Sequence, residues 1–547
     1  MYDVIIRNSK ILDGTGAPSY NGNIGIKDEK IVEVSIGQLS QDSEYVIEGE
    51  GLFASPGFVD MHTHADMSLF TNPLGKSLVM QGVTLVLTGN CGSSPAPLDE
   101  DLKKRWTQRG GGYPPAWDDF SGYLDAVDKA EFSVNVATQI GHNSIRAYVM
   151  GQYADRPSNK NELDEMAEIL DAAMKAGAIG FSSGLMYSPG IWSETEELIE
   201  LCKIVERHGG IYTSHMRGEA NEVLQSVSEI IKIAEKSNVS AHVAHHRAEC
   251  RVNWGLIRYT LNMMHETNLK GYNITCDFFP YEACGVGGGI PLPRWASPLY
   301  MPKEDALKII KNPETREKIK EEIRKGTELG PDKRSYEPID GPDDVVITIY
   351  PDEPELQGKT VTELAKIKGY EDPLEFFLDT VTSEKTFGVV AFDVWEEDLK
   401  RLVKSPLAMI GTDSGFVDDI YAPNRHPRAY GSYPKILGEY VRERKLISWE
   451  EAAMKLSTRP HSKLGIMDRG IIRPGFFADI VLFNPATVKT EADYTGVARY
   501  PEGIDYVLVN GKVVVEKSKH TGEKPGKLIR KPSVKLTTPF IFTTSHN

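Results

Sequence analysis

Two histidines one residue apart, His62 and His64, close the apolar run Phe58-Val59-Asp60-Met61. Side chains alternate along a β-strand, so the two imidazoles fall on one side just past a strand end and can converge on one point. Neutral imidazole is a metal ligand, and Ala54-Ser55-Pro56-Gly57 marks the turn from which such a strand would start. Turn, short apolar strand and paired histidines together point to a metal. Other ligand types follow later apolar runs: Cys91 in Thr88-Gly89-Asn90-Cys91-Gly92, His215 in Thr213-Ser214-His215-Met216-Arg217, His245 in Val243-Ala244-His245-His246-Arg247, and Asp413 in Ile410-Gly411-Thr412-Asp413-Ser414. Singly, each has an ordinary explanation as a small buried thiol, a hydrogen-bonding ring or a turn-capping acid. Six ligand-type residues at the ends of five apolar runs argue jointly for a metal centre. His246, beside His245, faces the other way in a strand and reads as supporting or structural, as do Asp60, His142 and His242.

The elements that must position these residues alternate between apolar strands and helical stretches, the pattern of a parallel sheet with crossover helices. Strands are expected near 57–62, 83–87, 133–137, 178–181, 210–213, 240–244, 272–276 and 407–411, with helical spacing over 162–176, 194–208 and 221–236. Eight such units predict an α/β fold, a (β/α)8 TIM-like barrel over 56–465, whose chemistry belongs at the carboxyl ends of the strands. An insertion of about 285–405 separates the last two strands. It opens on Gly285-Val286-Gly287-Gly288-Gly289 and contains a charged helix over 314–325 and strand-like 345–350 and 387–392. Such an insertion serves as a lid or binding loop, or is a passive excursion. After the last strand, 437–445 and 448–457 read as helices. Residues 1–55 read as short strands with turns, and strand-like 478–483 and 506–515 lie far downstream. Both chain ends, 1–55 and 466–516, are therefore expected to build one small β-sandwich domain. From 517 to 547 the chain is rich in Lys, Pro, Thr and Ser and reads as an extended arm. Such an arm either contacts a neighbouring subunit of a homo-oligomer or simply solvates the chain end.

Composition bounds the partners. A 547-residue chain that is 40% apolar and 26% charged is an ordinary globular composition, with length for a large barrel and accessory pieces. No stretch of about 20 apolar residues is present and no basic-then-apolar segment follows Met1, so a cytoplasmic protein without a membrane partner is expected. A formal net charge of −16 argues against a general nucleic-acid surface and leaves a small-molecule substrate. Five cysteines, an odd number and sparse, suit a reducing compartment better than a disulfide framework.

The chain resembles the amidohydrolase superfamily through Phe58-Val59-Asp60-Met61-His62-Thr63-His64, Gly411-Thr412-Asp413 and Gly470-Ile471-Ile472-Arg473-Pro474-Gly475-Phe476-Phe477-Ala478-Asp479-Ile480-Val481. Within it, the chain is similar to the D-aminoacylase (N-acyl-D-amino-acid deacylase) family. That narrowing rests on Gly89-Asn90-Cys91-Gly92, Gly184-Leu185-Met186-Tyr187-Ser188-Pro189-Gly190, Ser214-His215-Met216-Arg217, His245-His246-Arg247, Phe279-Pro280-Tyr281 and His426-Pro427-Arg428-Ala429-Tyr430-Gly431. The resemblance implies a tightly held Zn2+ at Cys91, His215 and His245, and a second, weaker position at His62 and His64 bridged by Cys91. Many relatives bridge with a carbamylated lysine on strand four; Gly180-Phe181-Ser182-Ser183-Gly184 has none, in agreement with a thiolate bridge. The resemblance further implies that Asp413 is general base and then acid, at the metal, in hydrolysis of an N-acyl-D-amino acid, and that Tyr187, Arg247, Tyr281 and Arg428 bind the substrate. The chain departs from the family at Arg247, where lysine is usual, and at Cys284-Gly285-Val286-Gly287-Gly288-Gly289, where a Ser/Thr-rich stretch is usual. The alternatives are a cyclic-amide hydrolase of the dihydroorotase or hydantoinase kind, a dipeptidase, and a non-catalytic homologue; Cys91 and the missing lysine count against the cyclic-amide enzymes.

Overall fold

The structure, a computed structural model, describes residues 1–285, 292–328, 339–350, 352–383, 387–417, 426–494 and 499–531. Eight strands form a parallel barrel: β1 (Phe58–Asp60), β2 (Val83–Thr88), β3 (Asn135–Gly141), β4 (Gly180–Gly184), β5 (Ile211–His215), β6 (Ser240–Val243), β7 (Ile274–Phe278) and β8 (Ala408–Ile410). Neighbours pair in chain order, as in Ser214 beside Val243 across β5 and β6. The ring is joined between its first and last strands, where Met61 N–H donates to Ile410 O (3.0 Å) and Thr63 pairs with Ser414. Each strand lies near its expected position because strands covered on both faces read as continuous apolar runs. Helices Lys160–Ala176, Thr195–Arg207 and Val223–Ser237 fall on the expected helical stretches. After β8, the expected helices are wider-wound in part: Ile436–Glu443 and Met454–Thr458 are π-helical.

Strands from both chain ends join in one nine-stranded sheet. Its seam is Phe53–Pro56, which pairs antiparallel with Ile480–Phe483 and leads directly into β1. Gly57 N–H donates to Asp479 O (2.9 Å) at that entry. The Asp479 carboxylate is buried, pairs with Arg469 and accepts from Asn510 N–H (2.8 Å), which gives the Ala478-Asp479 part of the terminal motif a structural task. The described part of the arm lies on the chain's own barrel. Leu528 pairs with Val136, Ile529 N–H donates to Val136 O (2.7 Å), and Lys531 N–H donates to Gly177 O (3.1 Å). The lower end of β3 offers backbone groups, and Leu528 and Ile529 bury apolar surface beside them.

The insertion is a folded unit with its own apolar cluster, including Ile347, Leu364 and Phe377. Four strands, in the order Ala283–Gly285, Gly388–Phe392, Val345–Ile349 and Lys359–Thr360, carry it. The expected charged helix forms as Pro313–Lys325, capped by Asn312 with proline in the first turn. The glycines 287–289 lie outside the described residues.

Candidate metal centre

The carboxyl ends of β1, β2, β5, β6 and β8 bring all six expected ligands to one mouth. His215 is the last residue of β5; His62, Cys91, His245 and Asp413 follow their strands by two or three residues. Three of these, Cys91 (φ 52°), His245 (φ 32°) and Asp413 (φ 49°), have left-handed backbone, which costs a non-glycine residue on the order of 1–3 kcal/mol. Specific bonds hold them there. Asp413 N–H donates to His62 O (2.8 Å), and His245 N–H donates to Asp277 Oδ1 (2.9 Å). At Cys91 the turn depends on Gly89 (φ 75°), where a Cβ would lie 2.0 Å from Gln139 O.

Cys91 Sγ is the hub, 3.2 Å from His62 Nε2, 3.5 Å from His245 Nε2 and 3.7 Å from His215 Nδ1. Donor atoms of His62, His64 and Cys91 lie within 4.8 Å of one another, and so do those of Cys91, His215 and His245. Cys91 belongs to both groups. Asp413 completes the ring: Oδ1 is 3.1 Å from His64 Nε2 and 3.7 Å from His62 Nε2, and Oδ2 is 2.9 Å from Arg428 Nη1. His64 is the member that meets solvent, with 38% of its side-chain surface exposed.

Carboxylates on the far side of the rings orient them. Glu219 Oε1 lies 3.0 Å from His245 Nδ1, which turns Nε2 toward Cys91; Asp277 Oδ2 lies 3.7 Å from His62 Nδ1 with the same effect. Asp277 is itself held by His242 Nε2 (2.9 Å), and Asp60 fixes the first and last strands by accepting from His62 N–H (3.1 Å) and Thr412 N–H (2.9 Å). His246 points away, to Thr260 Oγ1 (2.7 Å), and His142 pairs with Glu197 (2.7 Å), so both take structural places.

Burial alone would push the Cys91 thiol up, but charged His62 and His245 beside it hold it well below the usual thiol range. Burial likewise opposes the charge on Asp413, and Arg428 and His64 outweigh it and hold the carboxyl well below its ordinary value. Burial lowers the His64 and His245 rings, yet Asp413 and Cys91 raise the first to about 9, and Glu219 and Cys91 raise the second to about 10. Burial lowers His215, the ring already suited to bind as neutral imidazole. A soft thiolate, convergent imidazoles and a carboxylate are a donor set that fits zinc. A divalent cation among them supplies the positive charge that the histidinium forms otherwise carry.

Of the remaining expected residues, Tyr187, Arg428 and Arg247 touch the cluster, while the contacts of Tyr281 lie with Lys435, His426 and Thr490. Tyr187 OH is 3.3 Å from His215 Nδ1, with ring centroids 4.6 Å apart. Arg428 stacks on Phe279 (4.7 Å) while it holds Asp413. Tyr281 is buried, with Lys435 over its ring (4.6 Å) and Thr490 beside its hydroxyl. Arg247 stands behind His245, on the Nδ1 side, 6% exposed. Its Nη2 is 2.7 Å from Glu219 Oε2 and its Nε is 2.9 Å from Glu249 Oε1, so its charge is met by two carboxylates. Glu219 and Asp277 were not singled out from sequence. The available signals were an acid four residues after His215 and an acid inside the apolar run Ile274-Thr275-Cys276-Asp277-Phe278.

Comparison with known proteins places this geometry among relatives. The chain is 29% identical over 532 residues to a D-aminoacylase of Alcaligenes xylosoxydans xylosoxydans, covering 96% of this chain and 97% of that protein. It is 29% identical over 535 residues to an N-acyl-D-glutamate deacylase of the same organism, covering 97% and 96%. The crystal structure of N-acyl-D-glutamate deacylase from Bordetella bronchiseptica, complexed with zinc and a phosphonate inhibitor, superposes with a TM-score of 0.79 at 28% identity, covering 97% of this chain and 99% of that one. Residues 46–288 and 375–515 match the Amidohydrolase family. With its barrel mouth built from the residues that this match spans, the chain belongs to the Amidohydrolase family.

Proposed function

We propose that the protein is a zinc-dependent amide hydrolase that releases a carboxylate and a free D-amino acid from an N-acyl-D-amino acid. The observation that carries this reading is Cys91, a thiolate shared by two groups of histidines, with Asp413 fixed between those histidines and Arg428. Relatives named for D-aminoacylase and N-acyl-D-glutamate deacylase activity support the substrate class. Cys91, His215 and His245 would hold the tight ion, and His62 and His64 with Cys91 a second position. Bound zinc supplies a Lewis acid that polarises the amide carbonyl and makes water a nucleophile at neutral pH.

Asp413 performs the proton transfer. Its carboxylate, ionised beside Arg428, takes a proton from the attacking water as the water oxygen bonds to the carbonyl carbon. The same proton then passes to the amide nitrogen as the C–N bond breaks, which releases the acid and the amine and restores the carboxylate. Arg428 keeps Asp413 aimed at the cluster, and its planar fork suits the α-carboxylate of the substrate. Tyr187, next to His215, and Tyr281 are hydrogen-bonding groups for the acyl oxygen and the carboxylate. Arg247 belongs to the substrate site indirectly, through Glu219 and His245.

The test is amine release from a panel of N-acetyl-D- and N-acetyl-L-amino acids, with and without chelator, alongside metal analysis of the same sample. Release from D substrates only, abolished by chelator and restored by zinc, is the expected result. Bound metal with no release from either series would overturn the substrate assignment.

A further inference from the structure

A second convergent group of donors stands at the root of the insertion. Single side-chain donor atoms of Glu249, Cys284 and Asp393 lie within 4.8 Å of one another, and all three residues are buried. Cys284 sits on Ala283–Gly285, by which the chain leaves the barrel for the insertion, and Asp393 directly follows Gly388–Phe392, by which it returns. These two limbs are antiparallel partners, with Cys284 beside Ala391. Glu249 comes from the loop after β6, which the backbone ties to the returning limb through Cys250 N–H to Asp393 O (3.1 Å).

Asp393 is the residue that this packing leaves unexplained. It is 2% exposed, and neither oxygen of its carboxyl group meets hydrogen-bond geometry with a partner among the described residues. The Cys284 side chain is the group that approaches it. A buried carboxyl in this condition carries a desolvation cost that the approaching Cys284 thiol and the local backbone offset only in part, and a second carboxylate next to it adds repulsion. Burial and Glu249 push the Asp393 carboxyl well above the usual range, and the Arg247 guanidinium offsets this only in part. Two carboxylates and a thiol that converge in a buried site are a donor set for a borderline divalent cation, which removes both costs at once.

We propose that Glu249, Cys284 and Asp393 bind a divalent metal ion, zinc by the character of the donors, at a site that shares no ligand with the cluster around Cys91. Held there, the ion clamps both limbs of the insertion to the loop that carries Arg247. Glu249 then has two tasks: one oxygen accepts from Arg247 Nε (2.9 Å), and the carboxylate binds the ion. This assignment does not depend on which amide the protein hydrolyses.

The test uses the full-length chain, stripped with chelator and reloaded with Co2+, whose thiolate complexes absorb in the near ultraviolet. Cys91→Ala removes the thiolate of the first cluster. The expected result is that this variant keeps one cobalt ion per chain with thiolate absorption, and that adding Cys284→Ala abolishes both the ion and the band. Asp393→Asn in the otherwise unchanged chain is expected to lower bound metal by one ion per chain and to leave the cobalt at Cys91 in place. A Cys91→Ala chain without cobalt–thiolate absorption, or an Asp393→Asn chain with the metal content of the unchanged protein, overturns the proposal. If Cys91→Ala does not fold, the Asp393→Asn comparison decides alone.

Discussion

The mouth and the floor of the barrel bury charge in opposite ways. At the mouth, Cys91, Asp413 and the histidines are compensated by one another, side chain against side chain. At the floor, Lys455 Nζ donates to Ser405 O (2.5 Å) and Ala408 O (2.6 Å), and Lys463 Nζ donates to Ala241 O (2.7 Å) and Asn273 O (3.0 Å). These carbonyls lie at or just before the starts of β6, β7 and β8, and as backbone dipoles they cannot titrate. Two cysteines show the consequence. Cys91 is held well below the usual thiol range by charged rings, whereas Cys276, on β7, is pushed up by burial and by neighbouring Asp277. Burial is common to both; what differs is that the groups converging on Cys91 are cationic rings, whereas Cys276 has a carboxylate beside it and the floor lysines below it are capped by fixed carbonyl dipoles. The first arrangement can hold an ion and move a proton, and the second adds only stability.

The contrast breaks most visibly at Asp413. Asp413→Asn keeps the shape but removes the proton acceptor, so kcat is expected to fall by about 10²–10⁴-fold while bound metal stays at the level of the unchanged protein. Turnover within a factor of a few of the original, with metal retained, would remove Asp413 as the base. A smaller loss is expected behind the rings. Glu219, held at about 2 because Arg247 and His245 outweigh its burial, orients His245. Glu219→Gln is expected to weaken metal affinity by about 10–100-fold, read by competition against a chromophoric chelator, and unchanged affinity would show that packing alone orients the ring. The floor gives the smallest effect on chemistry. Lys455→Met leaves buried carbonyls without their donor, so unfolding in urea is expected to show a loss of about 1–3 kcal/mol, with kcat per folded molecule unchanged. A kcat that fell with stability intact would mean that the floor takes part in catalysis.

The fold was legible to the extent that burial shapes sequence locally. β2 and the approach to β4, Ala178-Ile179, are apolar because parallel strands are covered on both faces, and the spacing of such stretches left room for crossover helices. The candidate ligands were legible because His, Cys and Asp directly after such runs are hard to account for by packing. Glu219, Asp277 and Asp393 were not, since an isolated acid in sequence carries no sign of what faces it. Arg247 shows the same limit: the resemblance implied a substrate group there, and only the structure shows the Glu219 and Glu249 carboxylates against its guanidinium. The tail read as an extended arm, in contact with a neighbouring subunit or solvated, because nothing local marks Leu528 and Ile529 as partners of β3.

The amino-acid sequence by itself determined the period of the barrel, the strand ends at which the ligand-type residues sit, and the identity of those residues, because each is written in neighbours a few positions apart. Tertiary structure alone decided that Asp277 and Glu219 stand behind the His62 and His245 rings, that Arg428 holds Asp413, and that Glu249, Cys284 and Asp393 meet at the insertion's root. Those relations join residues up to hundreds of positions apart, and only closure of the ring and folding of the insertion bring them within bonding distance.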